Sequence, residues 1–248
     1  MSTESIFISG ASSDIGLTLI HQLISVPDPP RILAHCHSGA ERIEELRREL
    51  GGTDRLAPLP CDFRSEAETR ALADRVLGEF GCPTGVVHLP GLKLVYERFS
   101  RFNWGHFESD LGVQLRSAVI LLARFLPSMA KLPRARVVFL LSSVTRGIPP
   151  KYLSMYTVLK SAQLGLMRSL ASEYGGTGLT VNAVSAGMVQ TRFLDNVPDI
   201  VRQYGAAASP KGRNATPAEV AAAIVYLLSD AASYVHGVNL PVAGGAVY

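Results

Sequence analysis

Tyr156 and Lys160 stand four residues apart in Tyr156-Thr157-Val158-Leu159-Lys160, and Ser143 precedes the tyrosine by thirteen positions. On a helix, a spacing of four puts two side chains on one face, one turn apart. A free phenol titrates near pH ~10, and an ammonium beside it favours the phenolate and lowers that value. A phenol tuned in this way gives a proton to a carbonyl oxygen, or takes one from an alcohol, near neutral pH. A serine hydroxyl holding the same oxygen would steady the charge that develops on it. By itself the tyrosine–lysine spacing also fits a solvated helix face; its place after an apolar run gives it weight.

A second constellation lies at the start of the chain, in Ser9-Gly10-Ala11-Ser12-Ser13-Asp14-Ile15-Gly16. Glycine permits a sharp turn and close approach of the backbone to a ligand. The helix that follows offers unpaired N–H groups and a positive dipole end to a pyrophosphate, and Gly16 lets that helix pack closely on the preceding strand. Asp14 would repel a pyrophosphate unless its side chain caps the helix and points away. In dinucleotide folds an acid about 20 residues beyond the turn holds the ribose 2′-hydroxyl. Here the count reaches Ala34-His35-Cys36-His37-Ser38, and no acid occurs until Glu41. A 2′-phosphate is tolerated there, with His37 and Ser38 as donors, so NADP(H) is favoured over NAD(H).

The elements that must position these groups alternate. Short apolar runs at Ile6–Ile8, Ile32–Ala34, Leu56–Leu59, Val86–Val87, Val137–Leu141, Leu179–Val184 and Val238–Val242 read as strands. Helical patterns fall at Ile15–Ile24, Glu41–Leu50, Ser65–Phe80, Trp104–Ala130, Ser154–Tyr174 and Pro217–Ser229. This rhythm implies an α/β fold, a single Rossmann-type domain over residues 1–248 with a doubly wound parallel sheet flanked by helices on both faces. Strands buried on both faces read as continuous apolar runs, as these do. The connection from Met188 to Asn214 is long enough to be a substrate lid. Trp104 and Phe107 read as core anchors.

The chain has 248 residues, 47% hydrophobic and 18% charged, with a net charge of +3. That composition excludes disorder, collagen and a disulfide scaffold. The charges are interspersed, not gathered into the basic stripe of a nucleic-acid binder. Cys36, Cys61 and Cys82 have no metal or redox spacing, and His21, His88, His106 and His236 have none either, so no metal is expected. The N-terminus lacks the pattern of a signal peptide, and no apolar run approaches the ~20 residues of a membrane span. A soluble cytoplasmic protein is the expectation.

The chain resembles the short-chain dehydrogenase/reductase family over nearly its whole length, most closely its 3-oxoacyl-(acyl-carrier-protein) reductase-like members. The resemblance rests on the glycine turn, Ser143 thirteen residues before Tyr156, Lys160, and Cys61-Asp62-Phe63. It rests also on Val181-Asn182-Ala183-Val184-Ser185-Ala186-Gly187, on Arg213 to Val220, and on Gly244-Gly245. It implies that Ser143, Tyr156, Lys160 and Gln114 are the catalytic set, with Lys160 also binding the nicotinamide ribose. It implies a cofactor site built from Gly10, Ser12, Ser13, Asp14, Ile15, Gly16, His37, Ser38, Asp62, Phe63, Gly91, Tyr156, Lys160, Gly187, Val189 and Thr191.

Several positions depart from the family pattern. His88-Leu89-Pro90-Gly91 stands where the family has Asn-Asn-Ala-Gly, and Ala186 replaces a proline. Gln114 replaces the asparagine that holds a relay water, and one added methylene could shift that water by about 1 Å. The resemblance implies an NADP(H)-dependent reductase that turns a ketone, such as a 3-oxoacyl thioester or polyketide intermediate, into a secondary alcohol, with Tyr156 as general acid. The alternatives are a dehydrogenase of another secondary alcohol, sugar or steroid, and a non-catalytic dinucleotide-binding scaffold. Lys131, Arg134 and Arg136 offer a basic patch for an acyl carrier protein, and the resemblance implies a homotetramer.

Overall fold

The strands are cut from residues that water rejects: β1 (Ser5–Ser9) and β6 (Leu179–Ala186) are buried at every position. With β2 (Arg31–Cys36), β3 (Leu56–Pro60), β4 (Gly85–His88), β5 (Ala135–Ser142) and β7 (Asn239–Val242) they form one sheet in the computed structural model, which describes residues 4–246. Its order is β3-β2-β1-β4-β5-β6-β7 and every neighbouring pair is parallel. The order reverses between β1 and β4, and ligands bind open α/β sheets in the crevice at the carboxyl ends of strands at such a point.

One face of the sheet is covered by α1 (Asp14–Ile24), α2 (Ala40–Glu49) and α8 (Pro217–Leu228), which bury Leu19, Ile20, Ile43, Val220 and Ile224. The other face carries α3 (Glu66–Arg75), α5 (Ser117–Met129) and α6 (Ser154–Tyr174), with Leu72, Leu121, Phe125 and Met167 against Phe7 and Phe139. Each such side chain contributes about 1.5–3 kcal/mol on burial. Helix starts are set locally. Ser13 accepts from Gly16 N at 3.1 Å, and Thr216 and Glu219 form a capping box behind Pro217, an arrangement that satisfies two otherwise orphaned donors.

The pattern expected to be one long helix over Trp104–Ala130 is helical throughout but not uniform. It runs as α4 (Trp104–Leu111), a five-residue π segment (Gly112–Arg116), then α5. A second π segment, Val76–Phe80, extends α3. The stretch Trp104–Met129 is long and apolar enough to cross a membrane by length and composition, a property the apolar runs did not suggest, yet 56% of its apolar window is buried against the protein.

One other expectation is corrected. Trp104 is 61% exposed, so it anchors no core; it meets Phe102 edge-on and Phe107 at a tilt, and Phe102 in turn stacks on Phe99. The connection 188–214, expected to be long enough for a lid, holds a 3-10 turn, Arg192–Leu194, and α7 (Asp199–Ala208). A third small apolar cluster of Leu94, Val144, Leu153, Leu194 and Val197 ties this connection to the loops beside β4 and β5.

Candidate active site

The β1–α1 turn is built around glycine. Gly10 has φ +72°, and a Cβ there would lie 3.0 Å from Pro90 of the β4 end; a Cβ on Gly16 would lie 2.5 Å from the Ala11 carbonyl oxygen. No larger residue fits either place, so the turn keeps a bare backbone ledge at the helix N-terminus, where a pyrophosphate is attracted. The turn is held from below by His35, whose Nδ1 accepts from Gly10 N at 3.1 Å and whose Nε2 donates to the Cys61 carbonyl at 3.1 Å. Burial pushes the His35 imidazole down to about 4, so it is neutral. Sequence reasoning passed over His35, since nothing in its spacing distinguishes it from an ordinary strand residue.

Asp14 does not cap the helix; Ser13 does. The Asp14 carboxylate accepts from Arg42 Nη2 at 2.9 Å, from Arg192 N at 2.7 Å and from Arg192 Nε at 3.1 Å. Arg42 and Arg192 also donate to the Ser12 carbonyl. The repulsion anticipated from Asp14 is thus offset by two guanidinium groups drawn to the turn, neither of which the sequence signalled. At the β2 and β3 ends, Ser12 Oγ donates to the Ser38 carbonyl at 3.0 Å, and Asp62 accepts from Arg64 at 2.7 to 3.0 Å with His37 Nε2 at 3.6 Å. The hydrogen bonds of Arg64 hold the Asp62 carboxyl down at about 2. Phe63 is buried and stacks on His35 at 3.7 Å, so a ligand there can meet only its backbone. Ile15 is likewise buried under the turn.

The chemical end is set by α6 and the π segment. Lys160 is buried, and its Nζ donates to the Leu140 carbonyl at 3.1 Å. No other acceptor for that ammonium is recorded among the described residues, and burial lowers it to about 8. An ammonium has three donors, so two remain for a ribose, and the donor set fits a nicotinamide nucleotide. The Tyr156 ring centroid lies 5.8 Å from Lys160 Nζ. Contrary to the expectation from spacing, Tyr156 is raised, to about 12: burial dominates, its hydrogen bond to Ser142 opposes the rise, and the Asp110 carboxylate adds to it. The serine that acts on the Tyr156 phenol in this way is Ser142, the neighbour of Ser143. Tyr156 and Asp110 line a small cavity of about 30 Å³, while Ser143 lines a separate, larger one of about 380 Å³.

Gln114 sits within the π segment, the kind of local distortion that recurs at functional sites. Its carbonyl accepts from His88 Nε2 at 2.7 Å and from Gln163 Nε2 at 2.9 Å. A carbonyl only accepts, so His88 carries its proton on Nε2, and Nδ1 faces Ser9 Oγ at 2.9 Å. Burial pushes His88 down to about 3. The Gln114 side chain does not reach Lys160. Its Nε2 donates to Asp110 Oδ1 at 2.6 Å and its Oε1 is buried without a partner. Asp110 is thus a carboxylate beside both Tyr156 and Lys160 that the motifs did not reveal, although its place four residues before Gln114 was a readable signal.

The β6 end supplies Gly187, Val189 and Thr191. Val189 pairs with Ala215, and Thr191 Oγ1 donates to the Val189 carbonyl at 3.3 Å. Next along the chain, Phe193 reaches into the cleft. Its ring is 6.1 Å from that of Tyr156, and it would lie 3.4 Å from a Cβ on Gly91. At the far end, the proposed carrier-docking patch is largely spent: Arg134 pairs with Glu4 and Asp230, and Arg136 is buried against the Ala135 carbonyl, so only Lys131 faces outward freely.

Residues 32–247 match the profile of the family described as enoyl-(acyl carrier protein) reductase. The chain is 29% identical to cis-4-hydroxycyclohexanecarboxylate dehydrogenase of Sinomonas cyclohexanicum, over 96% of this chain and 94% of that one. It is 31% identical to D-threitol dehydrogenase of Mycolicibacterium smegmatis, over 96% and 90%. It is 29% identical to the 3-oxoacyl-(acyl-carrier-protein) reductase FabG of Pseudomonas aeruginosa, over 96% and 95%. A double mutant of the Serratia marcescens short-chain dehydrogenase/reductase superimposes with a TM-score of 0.88 at 21% identity, covering 98% of this chain and 97% of that one. With this fold and these relatives, the non-catalytic alternative falls away: the chain belongs to the short-chain dehydrogenase/reductase family and is an NAD(P)-dependent oxidoreductase acting between secondary alcohols and ketones.

Proposed function

We propose that the protein works as an NADP(H)-dependent carbonyl reductase, with a 3-oxoacyl thioester or polyketide-type ketone as its leading substrate class. The observation that carries the reading is the state of Tyr156. Held up at about 12 by burial, the phenol keeps its proton across the physiological range, which suits giving a proton to a carbonyl oxygen better than taking one from an alcohol. Lys160 would hold the nicotinamide ribose with its free donors. Ser142 would hold the Tyr156 hydroxyl, and Ser143 would meet the substrate oxygen from the larger cavity. Gln114, through Asp110, would place a carboxylate where a proton can be passed on to Tyr156. The bound cofactor supplies the hydride.

Of the residues assigned to the cofactor, Gly10, Ser12, Ser13, Asp14 and Gly16 would form the pyrophosphate ledge. His37, Ser38, Asp62 and the Phe63 backbone would border the adenosine, and Gly91, Gly187, Val189 and Thr191 would border the nicotinamide. Preference for NADP(H) is supported by Arg42 and Arg64 at the β2 and β3 ends, where an acid that would select NAD(H) is absent from the end of β2. A thermal-shift comparison tests it. NADPH should stabilise the protein more than NADH at equal concentration, and 100-fold saturation is worth about 2.7 kcal/mol; an equal or larger shift with NADH removes the preference.

A second reading, a dehydrogenase of another secondary alcohol, is favoured by the names of the Sinomonas and Mycolicibacterium relatives. NADPH oxidation with acetoacetyl thioesters, against a panel of alicyclic ketones and polyols, separates the two. We further infer a cytoplasmic protein, consistent with three free cysteines. We also infer a homotetramer that would cover Val119 on α5 and Val158 on α6, both exposed. Light scattering showing only monomer would remove the tetramer.

A further inference from the structure

The larger cavity beside Ser143, about 380 Å³, has an uneven lining. Val144, Met188 and Pro149 give it apolar walls, and Ile148 at the same cavity is 98% exposed. Three cations stand among these groups: Arg146, Lys211 and Arg213. Arg213 is accounted for, since it grips Glu219 through both ends at 2.6 and 2.9 Å. The other two are not. Arg146 is half-buried, and its Nε is shielded from water with no acceptor among the described residues. No acceptor for the Lys211 ammonium is recorded among the described residues; its stem packs against Gly244. Among the described residues, the only carboxylate lining the cavity is that of Glu219, and Arg213 occupies it. A shielded guanidinium donor left without a partner is destabilising, because it has given up water and gained no acceptor. Arg146 thus stands at the cavity with donor capacity that an arriving acceptor can use.

We propose that the substrate carries an anionic oxygen group, a carboxylate or a phosphate, on an apolar body, and that Arg146 and Lys211 receive that group while the ketone faces Ser143. This rests on the reductase reading above and adds to it the charge of the substrate. Arginine suits the role because its planar fork matches the oxygens of both groups, and Lys211 adds a point charge at the solvent side. The apolar wall takes the body between the anion and the ketone. The two sources of the anion differ in the compound that delivers it: a free oxo acid brings a carboxylate, and a pantetheine-type thioester brings a phosphate.

The test compares charged and neutral members of two pairs, with NADPH as reductant. One pair is 4-oxocyclohexanecarboxylate and its methyl ester; the other is acetoacetyl-phosphopantetheine and acetoacetyl-pantetheine. The expected result is at least a ten-fold higher kcat/KM for the charged member of one pair, carried mostly in KM. The ratio should collapse to within about two-fold in Arg146→Gln/Lys211→Gln and recover in Arg146→Lys/Lys211→Arg. The favoured pair says whether carboxylate or phosphate is the natural group. Equal rates within both pairs, or a ratio that survives the double substitution, would overturn the proposal.

A binding measurement keeps this distinct from the reductase reading. Titration calorimetry of the NADPH complex with cyclohexanecarboxylate, cyclohexyl phosphate and cyclohexanol should show heat for at least one anion, lost in the Gln variant, and none for the alcohol. Anion binding without turnover of any ketone would keep the anion site and sink the reductase. Turnover without any charge preference would do the reverse.

Discussion

Burial, and not the neighbouring ammonium, sets the state of Tyr156. The four-residue spacing located Tyr156 and Lys160 on one helix face, as α6 shows, but spacing says nothing about how much water reaches them. With the phenol at about 12 and the lysine at about 8, the group that titrates in the working range is Lys160. Reduction should therefore hold level up to about pH 8 and fall above it as Lys160 loses its charge, read from a pH profile of kcat/KM. The Asp110 carboxylate raises both groups. Asp110→Asn should accordingly move the alkaline limb to lower pH, with a loss of about ten-fold in kcat; an unmoved limb would show that Asp110 does not act on Lys160. What the sequence could not reveal at this scale was partnership. Ser143 has the right count from Tyr156, yet it is the Ser142 side chain that lowers the phenol against its burial, and the four-residue spacing of Asp110 from Gln114 was readable while its influence on Tyr156 and Lys160 was not.

At the scale of elements, strands and cores were legible because apolar runs and helical periods are strong signals. All seven strands fall where the runs placed them, and α6 has the expected bounds. The irregular pieces were not. The π segments keep a helical pattern while shifting its register, and α7 has no side-chain cap and no buried residue to announce it. The segment before α7 matters most. Arg192 is tied to Asp14 at the β1–α1 turn, and Phe193 lies between Gly91 and Tyr156, where the proposed site would take the nicotinamide end of the cofactor. In the proposed site a cofactor would loosen these contacts on entering. Because an exposed ion pair is worth about 0.2–1 kcal/mol, Asp14→Asn should tighten NADPH by up to about five-fold, measured by quenching of Trp104 fluorescence or by calorimetry. Unchanged or weaker binding would mean that the Asp14–Arg192 contact does not oppose entry.

For the whole molecule, two buried histidines link folding to pH. His35 and His88 are neutral when folded, with values lowered from 6.5 to about 4 and about 3. Below pH 6.5 the unfolded chain binds protons there and the folded chain does not. Stability is therefore full above 6.5 and falls as pH drops toward 4, by about 1.4 kcal/mol per unit for each histidine. Urea unfolding at pH 7.5 and pH 5 should show a loss of about 2 kcal/mol per histidine; equal midpoints would contradict this. His88, together with Pro90, explains why the altered His88-to-Gly91 segment still supports the fold. His88 bridges Ser9 to the Gln114 carbonyl, and Pro90 packs on Gly10, so the sheet end is held by different groups from those the family pattern implies.

The account stands on Tyr156 as the acid that completes ketone reduction. The direct measurement is NADPH consumption with product analysis, in the wild type and in Tyr156→Phe, using C4-deuterated NADPH and the best ketone of the panel. The expected result is one deuterium on the carbinol carbon per NADPH oxidised. Tyr156→Phe should lose about 10²–10⁴-fold in kcat while binding NADPH as tightly as the wild type. Turnover that survives the substitution, or an alcohol formed without deuterium, would contradict it.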